Sequence, residues 1–282
     1  TVHGVDADWI LTFNGGDELL SVVIRAAARE TDAVAFLEPS YSLYPVLTEM
    51  NGSKKTVLSY EIDGVNWRLP QAVENVNASV LLVVNPNAPS GHLDPVERLT
   101  EIAQRFKGLL VIDEAYVDFA SVNALEMVKK FSNVVILRTM SKGYSLAGLR
   151  FGYAIGQPSL LRELEKVRDS YPVDAVSIAA ATAGILDQEY AKNTWKKVKS
   201  ERTRLAAELR QMGFTMPESA SNFLLATVPT PLTGKGVYEA MKSKGILIRW
   251  WDLPRISDKV RITIGTPEQN DRLLTELRHL KG

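Results

Sequence analysis

From about residue 14 to residue 160, short apolar runs alternate with stretches in which apolar residues recur at helical spacing. That alternation marks βαβ units and predicts an α/β fold: a mainly parallel central sheet with helices on both faces. Strands are predicted at Ala33 to Leu37, Thr56 to Ser59, Val80 to Val84, Leu109 to Ile112, Val134 to Leu137 and Gly152 to Ile155. After Asn14-Gly15-Gly16, Asp17 is placed to cap a helix whose apolar residues include Leu19, Leu20, Val23, Ile24 and Ala27. In open α/β sheets ligands bind beyond the carboxyl ends of strands, so the residues that follow these runs are the ones to search for chemistry.

From Ser177 to Met212 the pattern is helical with few breakers. Its basic run, Trp195 to Arg204, reads as a solvated helix face in preference to an anion patch. Beyond it come a strand (Asn222 to Val228), a helix (Gly236 to Lys244), strands near Leu247 to Arg249 and Val260 to Ile264, and a closing helix from Pro267. This tail predicts a smaller α+β domain. The expected division is a large domain over 1–188 and a small C-terminal domain over 189–282. No internal repeat or low-complexity linker is visible.

Composition narrows the function. In 282 residues, 33 basic side chains balance 33 acidic ones, so no overall field favours nucleic acid as a partner. No apolar run approaches the ~18 residues of a membrane span, which argues against a membrane partner. Without cysteine there is no disulfide, thiolate metal site or cysteine nucleophile, and a cytoplasmic setting is expected. His3, His92 and His279 are far apart and share no ligand spacing, so no metal is expected. The chain starts without Met or a signal peptide and is expected to begin inside a longer protein.

Two segments carry candidate chemistry. Leu109 to Glu114 is an apolar strand ending in two acids, as in the Walker B element of nucleotide hydrolases, but no G-x-x-x-x-G-K-[ST] loop accompanies it. A strand-end or turn-capping role for Asp113 is the plainer reading of that segment alone. Some thirty residues on, Lys142 stands among Thr139, Ser141, Gly143, Ser145, Gly148 and Arg150, just past another apolar strand. Most lysines are solvated. Here hydroxyls and an arginine offer anion donors and glycines allow close backbone approach, the surroundings of a Schiff-base lysine. From spacing alone both readings stay open.

Taken together, the motifs resemble those of a known family. They are Asn14-Gly15-Gly16-Asp17-Glu18, Pro39-Ser40-Tyr41, Asn85-Pro86-Asn87, Asp113-Glu114-Ala115-Tyr116, Ser141-Lys142, Gly148-Leu149-Arg150, Ser221-Asn222-Phe223 and Arg261-Ile262-Thr263-Ile264-Gly265. In order and spacing the chain resembles the fold-type I aminotransferases that depend on pyridoxal 5′-phosphate (PLP), and among them the histidinol-phosphate aminotransferases. The resemblance implies that Lys142 carries PLP and shuttles a proton, and that Asp113 pairs with the pyridine nitrogen. Tyr116 and Asn87 would meet the phenolic oxygen, and Tyr41 would cover the ring. Gly16, Asp17, Ser141 and Arg150 would hold the phosphate, with Thr139 nearby, at a helix N-terminus whose free N–H groups and dipole favour an anion.

The same resemblance assigns Arg249, Arg261 and Asn222 to substrate, because the guanidinium fork pairs with phosphate or carboxylate alike. It implies a small-molecule amino donor, a 2-oxo acid acceptor and a homodimer. Family members are longer at the N-terminus by roughly half a small domain. Alternatives are an aromatic amino acid aminotransferase, a threonine-phosphate decarboxylase, and a non-catalytic binding protein on the same scaffold.

Overall fold

The computed structural model describes residues 2–280. The chain enters through β1 (Ile10–Asn14) and α1 (Gly15–Ala27), then β2 (Ala33–Glu38), α2 (Leu43–Met50) and β3 (Lys54–Ser59). A short hairpin, β4 (Glu61–Asp63) and β5 (Asn66–Arg68), precedes β6 (Val80–Val84), α3 (Val96–Arg105), β7 (Leu109–Asp113), α4 (Met127–Lys130) and β8 (Val134–Thr139). Next come β9 (Phe151–Gly156), α5 (Pro158–Glu165), α6 (Ala175–Leu186) and α7 (Gln188–Gln211). The tail holds β10 (Phe223–Thr227), α8 (Gly234–Ser243), β11 (Lys259–Thr263) and α9 (Pro267–His279).

The seven-stranded sheet has the order β1-β9-β8-β7-β6-β2-β3. Strands from β8 to β3 run parallel, while β9 is antiparallel to both β8 and β1. Every residue of β6, β7 and β8 is buried, which is why these runs read as continuously apolar. Successive side chains alternate between two cores: Leu110 and Ile112 enter one, Leu109 and Val111 the other. A third core forms in the tail, where Leu205, Leu209, Phe214, Leu224, Val260 and Leu273 pack together.

Several expectations need correction. Strand β1 was not among the expected strands, although its run Ile10, Leu11, Thr12 and Phe13 is strand-like; it is half-buried and pairs at the edge of the sheet. Helix α1 begins at Gly15, so Asp17 lies in its first turn and does not cap it. The long helix breaks at Asp187, whose side chain accepts from the Tyr190 N–H and starts α7. At Leu247 to Arg249 only Arg249 pairs, bridging Arg261, and Leu247 is exposed. The basic run is not merely solvated. Lys199 donates to the Ala120 carbonyl at 3.3 Å and Arg202 to those of Phe119 and Ser221 at 3.2 and 2.6 Å, tying α7 to the loops around the sheet.

Candidate active site

Strand parity aims Asp113, the last residue of β7, at the face covered by α1 and α2. The carboxylate is only 4% exposed. Its Oδ1 accepts from the Ala115 N–H at 3.0 Å and its Oδ2 from the Tyr44 hydroxyl at 2.9 Å. Burial pushes its pKa up to about 6 against these two hydrogen bonds, and Asp17 and Glu114 push it further the same way. Tyr44 was not anticipated. The available signal was its spacing, three residues past Tyr41 at the start of a helix.

Asp113 forms one wall of a cavity of about 140 Å³ that Gly16, Asp17, Tyr41, Tyr116, Thr139, Ser141, Lys142 and Arg150 also line. One end is the N-terminus of α1, which has no side-chain cap. Free N–H groups at such an end suit an anion. Gly15 has φ +80°, and a Cβ there would lie 2.6 Å from Arg150 Nη2, so the guanidinium can sit over this turn. Arg150 pairs with Asp17 Oδ2 at 3.3 Å, and Asp17 Oδ1 accepts from the Tyr41 hydroxyl at 3.0 Å. Thr139 Oγ1 accepts from the Ser141 N–H at 3.1 Å and donates to Ser141 Oγ at 2.9 Å, folding the turn before Lys142 toward the same end.

Lys142 is exposed into this cavity, its Nζ 5.7 Å from the centre of the Tyr116 ring. Partial burial lowers its amine below the usual lysine range; Arg261 and Arg150 push the same way, Asp17 and Asp113 the other. The loop behind it is held from α7. Trp195 Nε1 donates to the Gly143 carbonyl at 2.7 Å, and Gln188 donates to the Tyr144 hydroxyl at 2.9 Å. Beneath, the buried Glu114 accepts from Arg138 Nε at 2.8 Å and from the Ala124 N–H at 2.6 Å; burial raises its pKa and these contacts oppose the rise.

A wider cavity of about 520 Å³ shares Tyr41 and Ala88 with the first and reaches Arg249, Trp251 and Arg261. Arg249 and Arg261 face each other across an antiparallel bridge, with N–H to carbonyl distances of 3.0 and 2.7 Å. Both guanidiniums lie 5.3 Å from the Trp251 ring centre, and that of Arg261 lies 4.8 Å from Phe223. Neither forms an ion pair with a carboxylate among the described residues, and Arg261 Nε is buried with no partner. Burial and Arg249 lower the pKa of Arg261, with Tyr116 opposing. Like charges placed opposite each other are unfavourable, so the pair is primed for an anion.

Two anticipated residues stand apart from the cavity walls. Asn87 is fully buried behind the wall, its amide donating to the Pro39 carbonyl and Ser90 Oγ while Oδ1 has no partner. Asn222 lies just before β10, its carbonyl accepting from the Ile264 N–H at 2.9 Å, and lines neither cavity. A larger cleft of about 1180 Å³ near Arg68, His92 and Arg210 includes none of the anticipated site residues.

The site can hold a phosphorylated, protonated ring. Around one cavity it offers an uncapped helix end with an arginine, a buried carboxylate, an aromatic cover and a lysine amine with lowered pKa, and behind the wall lies the unpaired amide oxygen of Asn87. PLP has the matching groups: phosphate, pyridine nitrogen, flat ring, phenolic oxygen and aldehyde. Comparison with known proteins agrees. A family model described as aminotransferase class I and II matches residues 2–277. Histidinol-phosphate aminotransferase 1 of Nostoc sp. is 47% identical over 278 residues, covering 98% of this chain and 78% of the relative. Its namesake from Trichormus variabilis is 44% identical, covering 99% and 79%. The crystal structure of histidinol-phosphate aminotransferase from Sinorhizobium meliloti in complex with pyridoxal-5′-phosphate superposes with a TM-score of 0.89 at 26% identity, covering 99% of this chain and 79% of that one. With most of its motifs at two adjoining cavities and its length matched almost throughout, the chain belongs to the class I and II aminotransferases, in the histidinol-phosphate aminotransferase family.

Proposed function

We propose that the protein uses PLP to transfer an amino group between L-histidinol phosphate and 2-oxoglutarate, giving imidazole acetol phosphate and glutamate in histidine biosynthesis. PLP, when bound, supplies an aldehyde that exchanges amines and a ring that withdraws electrons. The protein supplies the rest. The first turn of α1, from Gly16 and Asp17, binds the phosphate with Ser141 and Arg150, and Thr139 shapes the turn. Asp113 would hold a proton on the ring nitrogen, Tyr116 would orient the phenolic oxygen, with Asn87, behind the wall, assigned there on resemblance alone, and Tyr41 would cover one face. Lys142 anchors the cofactor through Nζ, and its lowered pKa lets the free amine accept and return the proton at the substrate α-carbon.

The observation that carries the substrate reading is the bare pair of arginines. One pocket must take histidinol phosphate, which has a phosphate and no carboxylate, and glutamate, which has two carboxylates. Arg249 and Arg261, held against Trp251 without an acidic partner, suit either anion. Asn222 is assigned to the same pocket on resemblance alone.

We further propose a homodimer in the cytoplasm. Helix α6 supports the dimer: its apolar residues Val176, Ile178 and Leu186 are exposed, as are the flanking Tyr171 and Tyr190. Sedimentation at micromolar concentration tests it, and a fully active monomer would contradict it. The function is tested by offering the PLP-loaded protein a panel of amino donors without acceptor. Histidinol phosphate should be converted fastest; conversion of aromatic amino acids alone would move the protein to another aminotransferase specificity.

A further inference from the structure

We propose that Tyr44 is a positioning residue of this site: its hydroxyl holds the Asp113 carboxylate oriented and charged toward a ring nitrogen, and its ring braces Tyr41, the aromatic cover. The inference rests on the PLP reading above.

Tyr44 is completely buried, among apolar side chains. Packing alone would be served by phenylalanine, and a buried hydroxyl is costly unless it is bonded. Its hydroxyl donates to Asp113 Oδ2 at 2.9 Å, across 69 residues of sequence. With the Ala115 N–H on Oδ1, each carboxylate oxygen has one donor, and the two donors come from different elements. That fixes the carboxylate plane and leaves lone pairs for a ligand in the cavity. The Tyr44 ring meets Tyr41 edge to face, with centroids 5.6 Å apart at 87°. One side chain thus ties together the two groups that would grip the ring, at its nitrogen and on its face.

The remaining groups facing Asp113 do not replace this donor. Asp17 and Glu114 repel its charge, Tyr41 is bonded to Asp17, and Tyr116 and Lys142 stand across the cavity without a hydrogen bond to it. Burial holds the Tyr44 phenol well above its ordinary pKa, so it stays a donor throughout the working range. Without it, burial would prevail and Asp113 would keep its proton to higher pH, unable to accept from a protonated nitrogen.

The test uses Tyr44→Phe in the full chain and reads PLP affinity by absorbance titration from pH 5 to pH 9. PLP should bind roughly tenfold or more weakly at neutral pH, with the acid limb moved up by about one pH unit. Affinity for the PLP analogue with CH in place of the ring nitrogen should be unchanged or tighter. In an Asp113→Asn background the Phe substitution should add nothing. Fluorotyrosine at position 44, which keeps the shape and strengthens the donor, should shift the acid limb down and does not depend on the Phe variant folding. Equal loss of PLP and the analogue, additive effects of the two substitutions, or no shift with fluorotyrosine would overturn the role of Tyr44. Failure of the parent to bind PLP would overturn the underlying reading instead, and this inference with it.

Discussion

The two cavities that meet at Tyr41 and Ala88 are wired in opposite ways. On the sheet side the acids and Arg150 have polar partners, Asp113 in Tyr44 and Ala115, Glu114 in Arg138, Arg150 in Asp17, although burial still holds the pKa of Asp113 and Glu114 up. On the tail side Arg249 and Arg261 have aromatic faces and no acid. A pocket for a resident group benefits from rigidity, and hydrogen bonds between fixed elements provide it. A pocket that exchanges two anions in each cycle benefits from unsatisfied charge, which cation–π contacts hold in place without neutralising it.

Substitutions that break this contrast should differ in kind as well as size. Lys142→Ala removes both anchor and proton carrier, and amino transfer should fall by about three to four orders of magnitude in single-turnover rate. Asp113→Asn should keep the fold and the phosphate contacts but lose about two to three orders of magnitude in kcat, because an amide cannot hold charge on the ring nitrogen. Near-normal turnover would place the electron sink elsewhere. On the tail side, Arg261→Ala should lower kcat/KM for histidinol phosphate and glutamate by roughly one to two orders of magnitude while PLP content stays unchanged. Arg249→Ala should act in the same direction. If both variants matched the parent, the arginines would be structural.

An effect of another kind is expected on stability without PLP. The Asp113 pKa is raised from 3.8 to about 6 in the folded protein. Its contribution is therefore complete below the lower value and is lost as pH rises through the upper one. At pH 7.5 the cofactor-free parent should be less stable than Asp113→Asn by about 2–3 kcal/mol, the gap closing near pH 4 in urea melts. Asp118, also pushed up to about 6 by burial, lends both proteins the same slope.

What was legible in the sequence follows the same divide. Strands β6, β7 and β8 are buried on both faces, so their positions showed as largely unbroken apolar runs; Asp113 ends one of them and Lys142 follows another. Other features depend on contacts that no local pattern encodes. Tyr44 matters through a partner 69 positions away, and Trp195 through a carbonyl 52 positions away. Trp251 gains its role only once the bridge between Arg249 and Arg261 sets their register. The break at Asp187 was hidden because an aspartate can continue a helical pattern or cap the next one.

The central claim is that the hydrogen-bonded pocket on the sheet side keeps a resident cofactor on Lys142 while the arginine pocket takes what comes and goes. Borohydride reduction of the PLP-loaded protein, followed by digestion and mass mapping, tests it most directly. The account predicts the pyridoxyl label on Lys142, with prior exposure to histidinol phosphate preventing it. A label on any other lysine, or none, would contradict it.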